Sequence, residues 1–216
     1  MTPTRTRLAA LAVALTVAAC ATPTASPTPR PSCPSQAPSE ATAADIIGDA
    51  VAIEVRTNKG NFTIELDPEG APIAVANFVA LAGCGFYDGV TFHRVIEGFV
   101  IQAGDPQTKS NRGDFEGIGT GGPPYQFGIE PPADDQNYDP YVVAMANSGQ
   151  PDSNGSQFFV NLADLDDQLQ RIYSVLGRVT SGSEVVDAIG ALPTSGDPRN
   201  VPLDPAIIES MVLIRA

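Results

Sequence analysis

Residues 92–105 read Phe92-His93-Arg94-Val95-Ile96-Glu97-Gly98-Phe99-Val100-Ile101-Gln102-Ala103-Gly104-Asp105. Two short runs, 91–95 and 99–103, are rich in β-branched and aromatic residues and flank Glu97-Gly98, the pattern of two strands joined by a tight turn. Outward in both directions the same grammar repeats. Residues 51–56 and 61–66 alternate apolar and polar side chains around Thr57-Asn58-Lys59-Gly60, a hairpin signal with glycine available for positive φ. Residues 141–146, 157–162, 174–179 and 207–214 read as further strands. Pro72 opens a helix of about eleven residues whose apolar positions recur at helical spacing and which Gly83 can end. A second helix is expected over 183–192, with Ser183 as N-cap and Glu184 in the first turn. Between Asp105 and Asp139 there is little periodicity, and loops this long inside a domain are usually functional. Eight strands and two helices predict a mainly β protein, a closed eight-stranded antiparallel β-barrel capped by two α-helices.

Composition agrees. The 216 residues are 43% hydrophobic and 17% charged, enough for one filled core, and 20 Gly with 20 Pro favour turns over helices. The formal net charge is −13. The first twenty residues hold Arg5 and Arg7 and no acid, so the remainder is more acidic still. Such a surface repels nucleic acid and anionic lipid headgroups, so neither is expected as a partner of the folded domain.

The N-terminus reads as a targeting segment. Arg5 and Arg7 form a positive region, and residues 8–19 are a twelve-residue apolar run. A membrane-spanning helix needs about 20 residues, so the run fits a signal peptide instead. It ends Val17-Ala18-Ala19-Cys20, which resembles the bacterial lipoprotein signal, with the Cys20 thiol carrying the acyl chains. An ordinary secretory peptide, with Cys20 incidental, is the other reading. Residues 1–19 are thus expected to be the signal peptide and 20–49 a Pro/Thr/Ser/Ala-rich tether, with the folded domain over 50–216. The tether is too poor in apolar side chains to offset the cost of ordering. An exported protein follows, lipid-anchored on the outer face of the bacterial cytoplasmic membrane or, alternatively, secreted. The membrane is met through the anchor only. Cys33 and Cys84 remain, and an even pair in an exported chain suggests a disulfide rather than two free thiols.

Common catalytic signatures fail one by one. Gly117-Ile118-Gly119-Thr120-Gly121-Gly122 fits a dinucleotide-site pattern, but Pro123-Pro124 forbids the helix that must follow. His93 is the only histidine and no cysteine cluster exists, so no metal site is expected. No G-x-S-x-G elbow accompanies His93, which reads as a structural residue.

The 92–105 segment resembles the cyclophilin family's F-H-R-[IV]-I-x-G-F-x-x-Q-x-G-D. Met145-Ala146-Asn147-Ser148-Gly149 with Asn154-Gly155-Ser156-Gln157-Phe158-Phe159 resembles its second block. Gly119-Thr120-Gly121-Gly122 and Phe86-Tyr87-Asp88-Gly89 fit two more, in the same order, so the resemblance covers about residues 50–216. It implies a peptidyl-prolyl cis/trans isomerase without cofactor, expected as a monomer, acting on X-Pro-containing polypeptides of exported proteins and assisting their folding. A module that grips proline segments as a chaperone or scaffold is the rival. By resemblance Arg94, Phe99 and Gln102 are catalytic, with Arg94 the donor to the proline nitrogen. Phe99, Val100, Phe159 and Leu169 would line the proline pocket, with Leu165 the rival of Leu169, and Tyr173 is a further substrate-binding residue. The backbone of Asn147 would hold the substrate, and Thr120, Ala146 and Gln157 would line the neighbouring pocket. Tyr173 stands where many members have histidine. Gln168 falls near a tryptophan that helps many members bind cyclosporin, and this chain has no Trp. Strict alternation puts Phe99 and Gln102 on opposite strand faces, so a bulge near Gly98 or Gly104 is predicted to bring them together.

Overall fold

The computed structural model describes residues 29–216. The signal-peptide reading, Cys20 and residues up to 28 lie outside the described residues.

The elements run α1 (Glu40–Ile47), β1 (Ala50–Thr57), β2 (Gly60–Leu66), α2 (Pro72–Gly83), β3 (Arg94–Ile96), β4 (Val100–Ala103), β5 (Val142–Met145), β6 (Phe158–Asn161), β7 (Val175–Ser181), α3 (Ser183–Gly190) and β8 (Ile208–Arg215). All eight strands form one antiparallel sheet in the order β3-β4-β6-β5-β7-β2-β1-β8. It curls into a half-barrel.

The expected closed barrel is corrected here: β3 and β8 end the order without pairing as strands. Isolated backbone bonds lace the seam instead. Phe92 N–H donates to Ala206 O at 2.9 Å, Ile208 N–H to Val90 O at 2.8 Å and Val95 N–H to Asn200 O at 2.9 Å. The physical reason is in the approach to β8. Pro193, Pro198, Pro202 and Pro205 lack N–H groups and cannot extend a ladder toward β3.

A third helix is the second correction. Residues 40–47, assigned above to the tether, form α1 and place Ala43 and Ile47 in the core. Their i, i+4 spacing gives a short apolar stripe. The Ser39 N–H donates to Thr42 Oγ1 at 3.0 Å and helps satisfy the helix start. Cys33 and Cys84 form a disulfide that ties the segment before α1 to the end of α2. Helix α3 starts one residue earlier than expected: Gly182, at φ +77°, is the N-cap and Ser183 is the first helical residue.

Helix α2 is apolar nearly all round and is buried nearly all round, between the sheet and α1. Its N-terminus carries no capping side chain of its own. Both Glu130 carboxylate oxygens accept instead, from Ile73 N–H at 3.0 Å and Ala74 N–H at 2.7 Å. Phe78 meets Phe158 and Tyr87 edge-on, with centroids 5.2 and 5.5 Å apart. Those rings fill the concave side of the sheet together with Val95, Ile101, Val143 and Val160, which are all but solvent-free.

Candidate active site

The opposite, convex face carries the candidate site residues because strand side chains alternate. Pairing places Arg94 beside Gln102, Gln102 beside Phe159 and Phe159 beside Ala144, one row across β3, β4, β6 and β5. Around it lies a second, smaller apolar cluster of Val100, Tyr138, Val142, Ala144, Phe159, Leu165 and Val175. Phe99, Ala146, Leu169 and Tyr173 pack on it half-buried. Leu165 is fully buried beneath, so Leu169 is the leucine at the open surface. The Phe159 and Tyr173 rings meet edge-on at 5.3 Å.

The expected bulge is absent. Register runs unbroken from Arg94–Gln102 to Ile96–Val100, and from Val100–Asn161 to Ala103–Phe158. Phe99 instead sits in the turn before β4, after Gly98 at φ +68°, so strand alternation does not govern its side chain. Gly104, at φ +104°, has a different role. A Cβ there would lie 2.3 Å from Ser156 O, so glycine lets β4 and the 153–157 loop close together.

Arg94 is half-buried, with its Cζ 6.0 Å from the Phe99 centroid and Nη1 3.5 Å from Gln102 Oε1. It joins none of the ion pairs among the described residues. Burial pushes its pKa below the ordinary arginine value, opposed by Tyr173 and Asp197, and a guanidinium in that range stays charged. Here is a fixed cation over apolar walls with most of its N–H groups unused.

From Arg94 a chain of side chains continues. Gln102 Nε2 donates to Gln157 Oε1 at 2.9 Å, and Gln157 Nε2 donates to Gly119 O at 2.8 Å and Gly121 O at 2.9 Å. The glycine loop is held from its other side by the buried Asp105, which accepts from Gly119 N–H at 2.7 Å. Thr120 is exposed at the tip, its hydroxyl donating to Gly117 O at 2.6 Å. Ala146 N–H donates to Gln157 O at 2.8 Å. The Asn147 side chain donates to Ile172 O at 2.8 Å, while its backbone N–H and C=O take part in no hydrogen bond among the described residues. Both groups are open to an extended chain. These loops enclose a groove of about 790 Å³ that Gln102 lines and Phe99 and Leu169 do not.

His93 lies beneath this surface, 3% exposed, and neither ring nitrogen has a well-placed hydrogen-bond partner. Burial lowers its pKa to about 4; Asp105 and the nearby Thr91 and Gln157 groups oppose the shift without cancelling it. It is a neutral packing residue at pH 7. No group of three or more His, Cys, Asp or Glu among the described residues could hold a metal ion. No helix among them is long and apolar enough to cross a membrane.

Sequence reasoning missed Asn77, Tyr125, Glu130, Asn154 and Ser174, which hold the loops in place. Two had a signal: Asn77 is an amide in an otherwise apolar helix, and Asn154 stands in the second matched block.

Comparison with known proteins converges on one family. The sequence model described as cyclophilin type peptidyl-prolyl cis-trans isomerase/CLD matches residues 52–213. A probable peptidyl-prolyl cis-trans isomerase A of Mycobacterium leprae is 39% identical over 176 residues, covering 74% of this chain and 90% of the relative. A peptidyl-prolyl cis-trans isomerase B of Streptomyces anulatus is 41% identical over 177 residues, covering 74% and 94%. A crystal structure of a Cryptosporidium parvum cyclophilin type peptidyl-prolyl cis-trans isomerase superposes with TM-score 0.67 at 32% identity, covering 77% of this chain and 99% of that one.

Proposed function

This chain belongs to the cyclophilin-type peptidyl-prolyl cis-trans isomerases, and from that premise we propose that Arg94 is the group that lowers the rotation barrier of a bound X-Pro bond. The uncatalysed barrier is about 18–20 kcal/mol. Accelerating it about 10⁵-fold takes roughly 7 kcal/mol. No covalent bond breaks, so what has to be stabilised is the twisted amide, in which the proline nitrogen regains a lone pair. A donor aimed at that nitrogen binds the twisted state better than either planar one. One observation carries the assignment: the Arg94 guanidinium, half-buried beside Phe99, has no carboxylate partner among the described residues to compete for its N–H groups.

The proline ring rests on the convex cluster, against Phe99, Phe159, Leu169 and Tyr173, with Val100 as floor. A twisted amide is less polar than a planar one, so dry walls also favour it. Gln102 and the Asn147 backbone hold the chain on either side of the bond. The residue before the X-Pro pair enters the groove at Thr120, Ala146 and Gln157. The domain acts as a monomer on exported chains and assists their folding. It is lipid-anchored through Cys20 after removal of residues 1–19, with the residues between Cys20 and the bridged Cys33 as the spacer. The charged-then-apolar start and the Cys33–Cys84 bridge, a bond favoured in oxidising compartments, support that placement.

The test has two arms. Purified protein should accelerate cis-to-trans conversion of an X-Pro tetrapeptide in a protease-coupled assay, and a rate no faster than background would refute the catalytic reading. Cys20→Ser expressed in a bacterial host should move the protein from membrane to soluble fractions, and unchanged partition would refute the anchor.

A further inference from the structure

Asn77 is fully buried in the middle of α2 and does not line the groove. Its Nδ2 donates to Gly155 O at 2.8 Å, and its Oδ1 accepts from Tyr125 Oη at 2.8 Å. Tyr125 and Gly155 belong to different loops, and both line the groove. One amide therefore ties two groove segments to the core helix. Nearby, Tyr87 Oη, also fully buried, donates to Ser156 O at 3.0 Å. The carbonyls of Gly155 and Ser156 are thus both fixed from below, directly before Gln157. Gln157 is the side chain that reaches Gln102 on one side and Gly119 and Gly121 on the other.

We propose that Asn77 is a positioning residue for substrate recognition: through Tyr125 and Gly155 it sets the width of the groove that receives the residues preceding the X-Pro pair. The proposal rests on the isomerase function. A structural amide alone would satisfy its own polar atoms and could do so against one neighbour. Asn77 uses donor and acceptor on two separate groove loops. Burial raises the Tyr125 hydroxyl to about 12, so it remains a donor throughout the working pH range. The contact pattern predicts a defect in substrate affinity that depends on peptide length, since only a peptide long enough to enter the groove meets Tyr125 and Gly155. The twisting of the X-Pro bond itself takes place at Arg94, on the other side of Gln102.

The experiment compares wild type, Asn77→Ala and the milder Tyr125→Phe on two substrates with the same X-Pro pair. One is a tetrapeptide with residues before the pair; the other is an acetylated dipeptide amide that ends before the groove. Losing two buried hydrogen bonds should raise KM for the tetrapeptide about tenfold in Asn77→Ala, with kcat within about twofold. The ratio of kcat/KM values, tetrapeptide over dipeptide, should fall accordingly, and Tyr125→Phe should move it in the same direction by less. An equal loss on both substrates, or an unchanged ratio in folded variants, would overturn the proposal and leave Asn77 as a core residue. Wild-type protein idle on both substrates would overturn the isomerase function, and the proposal with it.

Discussion

Replacing His93 by asparagine should remove a defined part of this protein's acid sensitivity. His93 is buried, unpaired and held neutral, its pKa moved from 6.5 to about 4. Each unit is about 1.36 kcal/mol, so the difference between folded and unfolded states corresponds to about 3 kcal/mol. The direction follows from a depressed folded pKa. Above pH 6.5 the histidine is neutral in both states and stability is undiminished. As pH falls from 6.5 toward 4 the unfolded chain takes up a proton that the folded one refuses, and stability drops. Below about pH 4 both states are protonated and the loss levels off. The assay is urea unfolding of wild type and His93→Asn between pH 7.5 and 3.5, read as the difference between the proteins so that carboxylate titration cancels. The gap should shift by about 3 kcal/mol against wild type across that window. The chain has one histidine, so its imidazole proton NMR signal is unambiguous and should titrate near pH 4. A pH-independent gap, or a midpoint near 6.5, would refute the reasoning.

Three further outcomes are expected. Removing the Cys33–Cys84 bridge with a Cys33→Ala/Cys84→Ala pair opens a loop whose ends are 51 residues apart and should cost about 4 kcal/mol in denaturant unfolding, with isomerase rates kept wherever the variant is folded. Glu130→Ala should cost about 1–2 kcal/mol by uncapping α2, seen as a lower urea midpoint with an unchanged slope. Phe99→Ala should reduce kcat/KM about tenfold by removing one wall of the proposed proline pocket, while stability changes by about 1 kcal/mol because the ring is only half-buried.

Strand positions were legible because alternation survives in local sequence: 51–56 and 61–66 became β1 and β2 around Asn58-Lys59 with little change. The convex row of Arg94, Gln102, Phe159 and Ala144 was not, since it depends on register between segments up to 65 residues apart. Phe99 shows the same limit at short range. Alternation was the wrong rule for it because the strand begins one residue later. The tether was read from average composition, which hid the Ala43 and Ile47 stripe of α1. The open seam was written in the prolines before β8, but only as a veto on pairing, and a veto on one partner does not name the other. Asp105 and Glu130 act on backbone N–H groups far along the chain, and such contacts leave no pattern in a single sequence.

The central claim is that Arg94 acts on the twisted amide and contributes little to ground-state binding. NMR exchange measurements on an X-Pro peptide saturating the enzyme separate the two. With Arg94→Ala, peptide affinity should stay within about threefold while the on-enzyme cis–trans exchange rate falls about a hundredfold, as expected for an interaction made only in the transition state. Exchange as fast as wild type at equal saturation would contradict the account.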